Sequence, residues 1–152
     1  MQYIGFDIQD THYGIASDNI IEILQDGVIT PLPCAPQGVC GMTHYQGRSY
    51  PVLDLYDILE VPVDTSLSCM IMVETKQHYY FVNVHTIPYL FEDGEAMEVP
   101  KALADSDIAI KQIFKWHDRM QLIISTEKLI CFFIRTFSPY GLSMVIIMQT
   151  SI

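Results

Sequence analysis

The chain is predicted to be an all-β protein built as two similar halves that share one hydrophobic core. Three observations lead there. Apolar residues alternate with polar ones in short runs broken by regularly spaced turns. The second half of the chain repeats the first at an offset of 71 residues. The 152 residues, half of them hydrophobic and 17% charged, can bury a full domain core and are far from the composition of a disordered chain.

The elements follow in order. Ile4, Phe6 and Ile8 alternate with Gly5 and Asp7, a half-buried strand within residues 2–8. Asp10-Thr11-His12 turns into Tyr13-Gly14-Ile15-Ala16, and Ser17-Asp18-Asn19 breaks that run before the apolar Ile20–Leu24. Pro33 and Pro36 punctuate a loop. Val39, Met42 and Tyr45 then lead to a tight turn at Gln46-Gly47, where Gly47 suits a positive φ. Gly41 marks either a close backbone approach or a bulge. Tyr50–Leu53 reads as a buried strand, and Asp54 stands where its carboxylate can cap a helical turn over 55–59.

In the second half, Cys69–Val73 and Tyr79–Val84 flank the turn Thr75-Lys76-Gln77. Ile108, Ile110 and Ile113 precede a turn at Lys115–Arg119 and a strand at Met120–Ile124, with further helical turns near 100–104 and 125–130. The end of the chain, residues 132–152, is apolar. Phe132–Arg135 and Leu142–Met148 flank Ser138-Pro139-Tyr140-Gly141, which predicts a strand, a turn and a strand. Such a hairpin must be covered, on the chain's own barrel or by a second copy in a homodimer.

The repeat ties these elements together. At the offset of 71, Val39 meets Ile110, Met42 meets Ile113, Tyr45 meets Trp116, Arg48 meets Arg119, and Val52-Leu53 meets Ile123-Ile124. An offset of 66 sets Tyr13, Ile15, Ile21 and Leu24 against Tyr79, Phe81, Ile87 and Leu90. Each half is too small to be comfortable alone, so pairing them buries a common core. The expected division is 12–65 and 66–131, with the strand 2–8 a candidate to join the second part.

Charge and chemistry narrow the function. Residues 1–75 carry one base, Arg48, against ten acids; residues 76–152 carry seven bases and eight acids. An acidic half repels a phosphate backbone, so nucleic-acid binding is not expected. The acidity serves solubility or a partner with a neutral or basic surface. Cys34, Cys40, Cys69 and Cys131 form no metal-site spacing and read as reduced thiols of a cytoplasmic protein, with no positively charged leader and no membrane insertion expected. The histidines, at 12, 44, 78, 85 and 117, match no zinc motif and fall mostly at turns or strand ends, which predicts solvated side chains. No nucleophile elbow or phosphate-binding loop occurs. Neither an enzyme nor a bound cofactor or metal is expected. Recognition remains.

The ordered run Pro36, Val39, Gly41, the hairpin His44-Tyr45-Gln46-Gly47, then Pro51-Val52-Leu53-Asp54-Leu55 resembles the signature of the CheW-like domain family. Ile20-Ile21-Glu22-Ile23 and Tyr80–Val84 resemble further segments of it, and the likeness extends over residues 2–131. The resemblance implies two packed, five-stranded, SH3-like barrels around a common core. It also implies a signalling adaptor joining the regulatory domain of a CheA-type histidine kinase to the cytoplasmic tip of a chemoreceptor. Recruitment to membrane receptor arrays would follow. Carried over by position, the partner-binding candidates are Ile20, Glu22 and Gln46, with His44, Tyr45 and Arg48 as neighbours; Gly41, Gly47 and Asp54 hold structural places. Gln46 stands where the family usually has Arg, so a bidentate carboxylate contact is lost. The alternative expectation is a small-molecule carrier, with Tyr79, Phe81, Tyr89 and Phe91 lining a pocket between the barrels.

Overall fold

Local turn chemistry sets the hairpins. The computed structural model describes residues 1–137, with side chains through Cys131. Strands β1 (Gln2–Ile8) and β2 (Thr11–Ala16) pair antiparallel, and a short 3-10 turn at Ser17–Asn19 leads to β3 (Ile20–Gln25). β4 (Val39–Tyr45) and β5 (Arg48–Asp54) form the next hairpin, followed by the helical turn α1 (Leu55–Ile58). Then come β6 (Cys69–Glu74), β7 (Tyr79–Val84), β8 (Tyr89–Glu92), β9 (Glu95–Met97) and α2 (Lys101–Ala104). The hairpin β10 (Ile110–Trp116) and β11 (Arg119–Ile124) precedes the helix α3 (Thr126–Phe137).

The strands form two sheets, in the orders β3-β6-β7-β5-β4 and β8-β1-β2-β11-β10-β9. Each closes into a barrel by one strip of chain that pairs at both edges. In the second, β8 bonds β1 while β9, two residues further on, bonds β10. In the first, Thr30 continues from β3 and exchanges backbone hydrogen bonds with Met42 of β4 at 2.8 and 2.9 Å.

The repeat is therefore real, with one correction. Both hairpins carry a bulge at matching places, between Val39 and Gly41 and between Ile110 and Gln112, which is the offset of 71. The parallel pairings Val52–Phe81 and Ile123–Gly14, however, make Phe81 the counterpart of Gly14, an offset of 67 rather than 66. The same offset relates Thr30 to Met97, each bridging its barrel's equivalent strand at Met42 and Ile113. Burial on both faces explains the slip. Tyr80, Val82 and Val84 of β7 enter the core shared by the two barrels, whereas Phe81 enters the interior of the first barrel. With no polar face to mark the pleat, hydrophobicity does not distinguish adjacent registers.

Two further expectations are corrected. The boundary at 65/66 does not divide the sheets: β6 and β7 belong with β3–β5, and β1 and β2 belong with β8–β11. The chain starts in one barrel, builds the other, and returns. Residues Phe132–Arg135 are not a strand; they continue α3 to Phe137. The hairpin and the edge-strand dimer lose their first strand, and the predicted strand 142–148 lies outside the described residues.

The shared core joins Phe6, Ile15, Ile113 and Ile124 of the second barrel to Leu53, Ile71, Tyr80 and Val82 of the first, with Leu129 and Ile130 of α3 sealing it. Tyr80, fully buried, donates its hydroxyl to the Thr126 carbonyl at 2.9 Å, fastening the start of α3 to β7. Among the described residues, no helix is long and apolar enough to cross a membrane.

Candidate partner-binding site

The site begins with an irregular strand. β3 pairs with β6 through Ile20–Val73 and Glu22–Met72, so Ile21 is an extra residue, a β-bulge. Alternation breaks there: Ile20 is half-buried against the shared core, while Ile21, 44% exposed, and Glu22 both face outward. Ile20 thus supports the surface from beneath, and Ile21 is the apolar side chain it offers. A run of three isoleucines and a glutamate does not reveal which of them is exposed, because a bulge leaves no mark in it.

The hairpin tip of β4–β5 meets this strand. Gln46 and Gly47 have φ of 49° and 82°. Two consecutive positive φ values make a type I′ turn, whose twist suits a two-residue hairpin loop. A side chain at Gly47 would meet only open space, so backbone conformation alone favours glycine there. Gly41 differs. Its φ is +147° and a Cβ would collide with the Thr30 carbonyl, so the barrel-closing bridge requires it.

Tyr45 connects the two elements. Its ring packs edge-on to Phe81 at 5.9 Å, and its hydroxyl donates to Glu22 Oε2 at 3.3 Å. Gln46 Nε2 in turn donates to the Tyr45 hydroxyl at 3.3 Å. Desolvation first, then the Glu22 carboxylate, pushes the Tyr45 hydroxyl pKa up. Arg48 lies across the hairpin from Tyr45, and His44 Nδ1 lies 3.3 Å from Ser49 Oγ. Glu22, Tyr45 and Gln46 form one hydrogen-bonded chain with His44 and Arg48 exposed beside it. Asp54 stands apart at the far end of β5, where Oδ1 accepts from Tyr56 N at 2.9 Å and caps α1.

The second barrel carries the counterpart of this face. By the two offsets, Tyr89 holds the place of Glu22, Trp116 that of Tyr45, His117 that of Gln46 and Arg119 that of Arg48. Tyr89 donates to Asp7 Oδ1 at 2.6 Å, His12 Nδ1 lies 2.8 Å from the same oxygen, and Gln121 Nε2 donates to Tyr89 Oη at 3.0 Å. The Arg119 guanidinium sits 5.7 Å from the Tyr89 ring centre and 3.9 Å from Asp7 Oδ2. This cluster was legible only through the repeat, in the alignment of Arg48 with Arg119.

Two histidines depart from the solvated state expected of them: His12 pairs with Asp7, and His85 pairs with Asp54 at 2.9 Å with both side chains 13% exposed. The aromatic residues of 79–91 do not line a pocket between barrels. Phe81 and Phe91 fill the separate barrel interiors, and Tyr89 is committed to Asp7. An apolar cleft does open between the barrels, but Ile58, Leu59, Leu103, Ile110 and Leu122 line it. Among the described residues, no three His, Cys, Asp or Glu side chains converge as a metal site needs.

Comparison with known proteins identifies the family and the fold. The CheW-like domain matches residues 2–131. The chain is 25% identical over 134 residues to the chemotaxis protein CheW of Helicobacter pylori, covering 86% of this chain and 81% of that one. Protein FrzA of Myxococcus xanthus is 38% identical over 58 residues, a match spanning 38% of this chain and only 36% of FrzA. The crystal structure of the scaffolding protein TtCheW from Thermoanaerobacter tengcongensis superposes with a TM-score of 0.71 at 22% identity, over 82% of this chain and 88% of that one.

Proposed function

This chain belongs to the CheW-like domain family, and we propose that it serves as a non-catalytic adaptor in chemotaxis-type signalling, scaffolding the regulatory domain of a CheA-type histidine kinase. The observation that carries this is the hydrogen-bonded chain Glu22–Tyr45–Gln46, which fixes a strand and a hairpin tip as one exposed face. Rigid elements of this kind present side chains at small entropic cost. Ile21 supplies apolar contact, and Glu22, Gln46, His44 and Arg48 form the polar rim that sets register. The counterpart face around Tyr89, Trp116 and Arg119 makes the adaptor two-sided, able to touch two partners at once. Its work takes place in the cytoplasm, at the receptor arrays to which the kinase is recruited.

The second partner is the cytoplasmic tip of a chemoreceptor, and this contact has diverged. Gln46 offers one amide where an Arg would offer a charged, planar fork for a carboxylate. Coupling to the kinase arises from contacts that differ between its conformations. The test titrates the chain, and Gln46→Arg, with a receptor tip fragment from the same genome. Weak binding that strengthens about tenfold in Gln46→Arg, roughly 1.4 kcal/mol, supports divergence. Tight binding by the unaltered chain, with normal entry into a standard receptor–kinase array, contradicts it.

A further inference from the structure

His85 lies at the point where the chain leaves the first barrel, directly after β7, and residues 85–88 carry it across to β8. Its ring is held between two oxygens. Nε2 is 2.9 Å from Asp54 Oδ2, and Nδ1 is 3.1 Å from the backbone carbonyl of Leu67. Asp54 is itself engaged, since its other oxygen caps α1 through Tyr56 N, and the Tyr56 ring stands perpendicular to the imidazole at 4.7 Å.

Both partners of the ring are acceptors. A carbonyl oxygen has no proton to give, and an ionised carboxylate has none either. A neutral imidazole carries one N–H, so one ring nitrogen would face an oxygen lone pair with its own. Only the imidazolium, with two N–H groups, satisfies both contacts. The carboxylate contact is the shorter and involves an ionised acceptor, so a neutral ring keeps its proton on Nε2 and gives up Leu67.

We propose that His85 is a protonation-dependent fastener. As a cation it ties the loop 59–68 to the crossover and to the capped start of α1; as a neutral ring it releases the loop. What it joins is a cleft. Ser66, Leu67 and Ser68 form one wall, Thr86, Ile87 and Pro88 the other, and Gln25 and Asp26 at the end of β3 lie at its rim. Leu67 is 48% exposed and Ile87 69%, so apolar surface stands ready on both walls. The ionisable groups against the ring are Asp54 from β5 and Tyr56 from α1; Asp64, from the same loop as Leu67, lies near enough to the Tyr56 hydroxyl to push its pKa up. Asp7 of β1 connects from the other barrel, its carbonyl accepting from Tyr56 Oη at 3.4 Å. Histidine ordinarily changes charge between about pH 5 and 8, so the loop is fastened on the acid side and released as the pH rises.

The test uses the full chain with ¹⁵N-labelled histidine. Long-range proton–nitrogen spectra from pH 5 to 9 report which ring nitrogens of His85 carry protons, and hydrogen exchange, corrected for its intrinsic pH dependence, reports loop protection. The expected result is two N–H groups on the acid side and an Nε2–H tautomer on the basic side. Protection of the loop amides falls roughly five- to tenfold through the same transition, the loss of one net hydrogen bond. In Asp54→Asn, which keeps a competent cap, the ring and loop transitions still coincide. In His85→Gln the loop profile becomes flat. A single-N–H ring throughout overturns the proposal, as does a loop whose exchange ignores the His85 transition or keeps its pH dependence in His85→Gln.

Discussion

Gln46 and His117 occupy the same position in two hairpins, each the first of two left-handed residues at the tip. Their φ values are 49° and 47°, followed by Gly47 at 82° and Asp118 at 60°. The match extends outward through equivalent bulges and parallel pairings to the strips that close each barrel. Two copies of one plan thus present two related faces, with Gln46-Gly47 at one tip and His117-Asp118 at the other.

The turn itself gives the first prediction. Gly47 is free of contacts but needs its backbone angle, so Gly47→Val costs about 1–2 kcal/mol, the penalty of a left-handed β-branched residue. Asp118→Gly relieves the same strain in the other hairpin and stabilises by up to about 1 kcal/mol. Urea unfolding of both variants checks the pair of opposite signs.

Much of this fold is legible in the sequence, and the parts that are not share a cause. The hairpin over 39–54 and its copy over 110–124 were visible because turn residues, Asp54 and spaced apolar side chains all agree. The strands buried on both faces give no such agreement, so hydrophobicity sets Phe81 against Ile15 where the pairing makes it the counterpart of Gly14. Phe132–Arg135 failed likewise: a short, fully apolar run fits a strand or a buried helix equally. At the site, Glu22, Tyr45 and Gln46 come together as one cluster, whereas the bulge that exposes Ile21 and tucks Ile20 beneath it is not encoded in composition. Nothing local in the sequence marks the partner of His85, because Asp54 lies 31 residues away.

The anchoring of α3 rests partly on one buried hydroxyl. Tyr80→Phe removes its bond to the Thr126 carbonyl and leaves the ring in the core. The expected cost is about 1 kcal/mol, together with faster hydrogen exchange in the first turn of α3. An unchanged stability would show that this bond does not hold the helix.

Thiol reactivity follows burial. Desolvation, with Asp54 adding to it, pushes the Cys40 thiol from an ordinary 9.0 up to about 12, and burial raises Cys69 too. At pH 8, Cys34, exposed in its loop, reacts with iodoacetamide well before Cys40 or Cys69. The linkage has a definite sign. The folded chain keeps the Cys40 proton to about pH 12 while the unfolded chain releases it near 9.0. The contribution to stability is therefore full below pH 9 and declines as the pH climbs towards 12. Site-resolved mass spectrometry of the labelled chain checks the order of reactivity.

Tyr45→Phe separates the site from the fold. The ring stays against Phe81, whereas the hydroxyl that orients Glu22 and Gln46 is lost. Stability should change by less than about 0.5 kcal/mol, because the hydroxyl is on the surface. Affinity for a docked partner should fall several-fold. Equal losses of stability and affinity would mean the hydroxyl holds the hairpin and not the partner.

The proposed function rests on docking to a histidine kinase. Calorimetric titration with the regulatory domain of a CheA-type kinase from the same genome tests it most directly. The expected result is micromolar binding, about −8 kcal/mol, weakened by substitutions at Ile21, Glu22 or Tyr45, or at their counterparts around Tyr89 and Arg119. Absence of binding at high concentration of both folded proteins would contradict the adaptor function and leave only the fold.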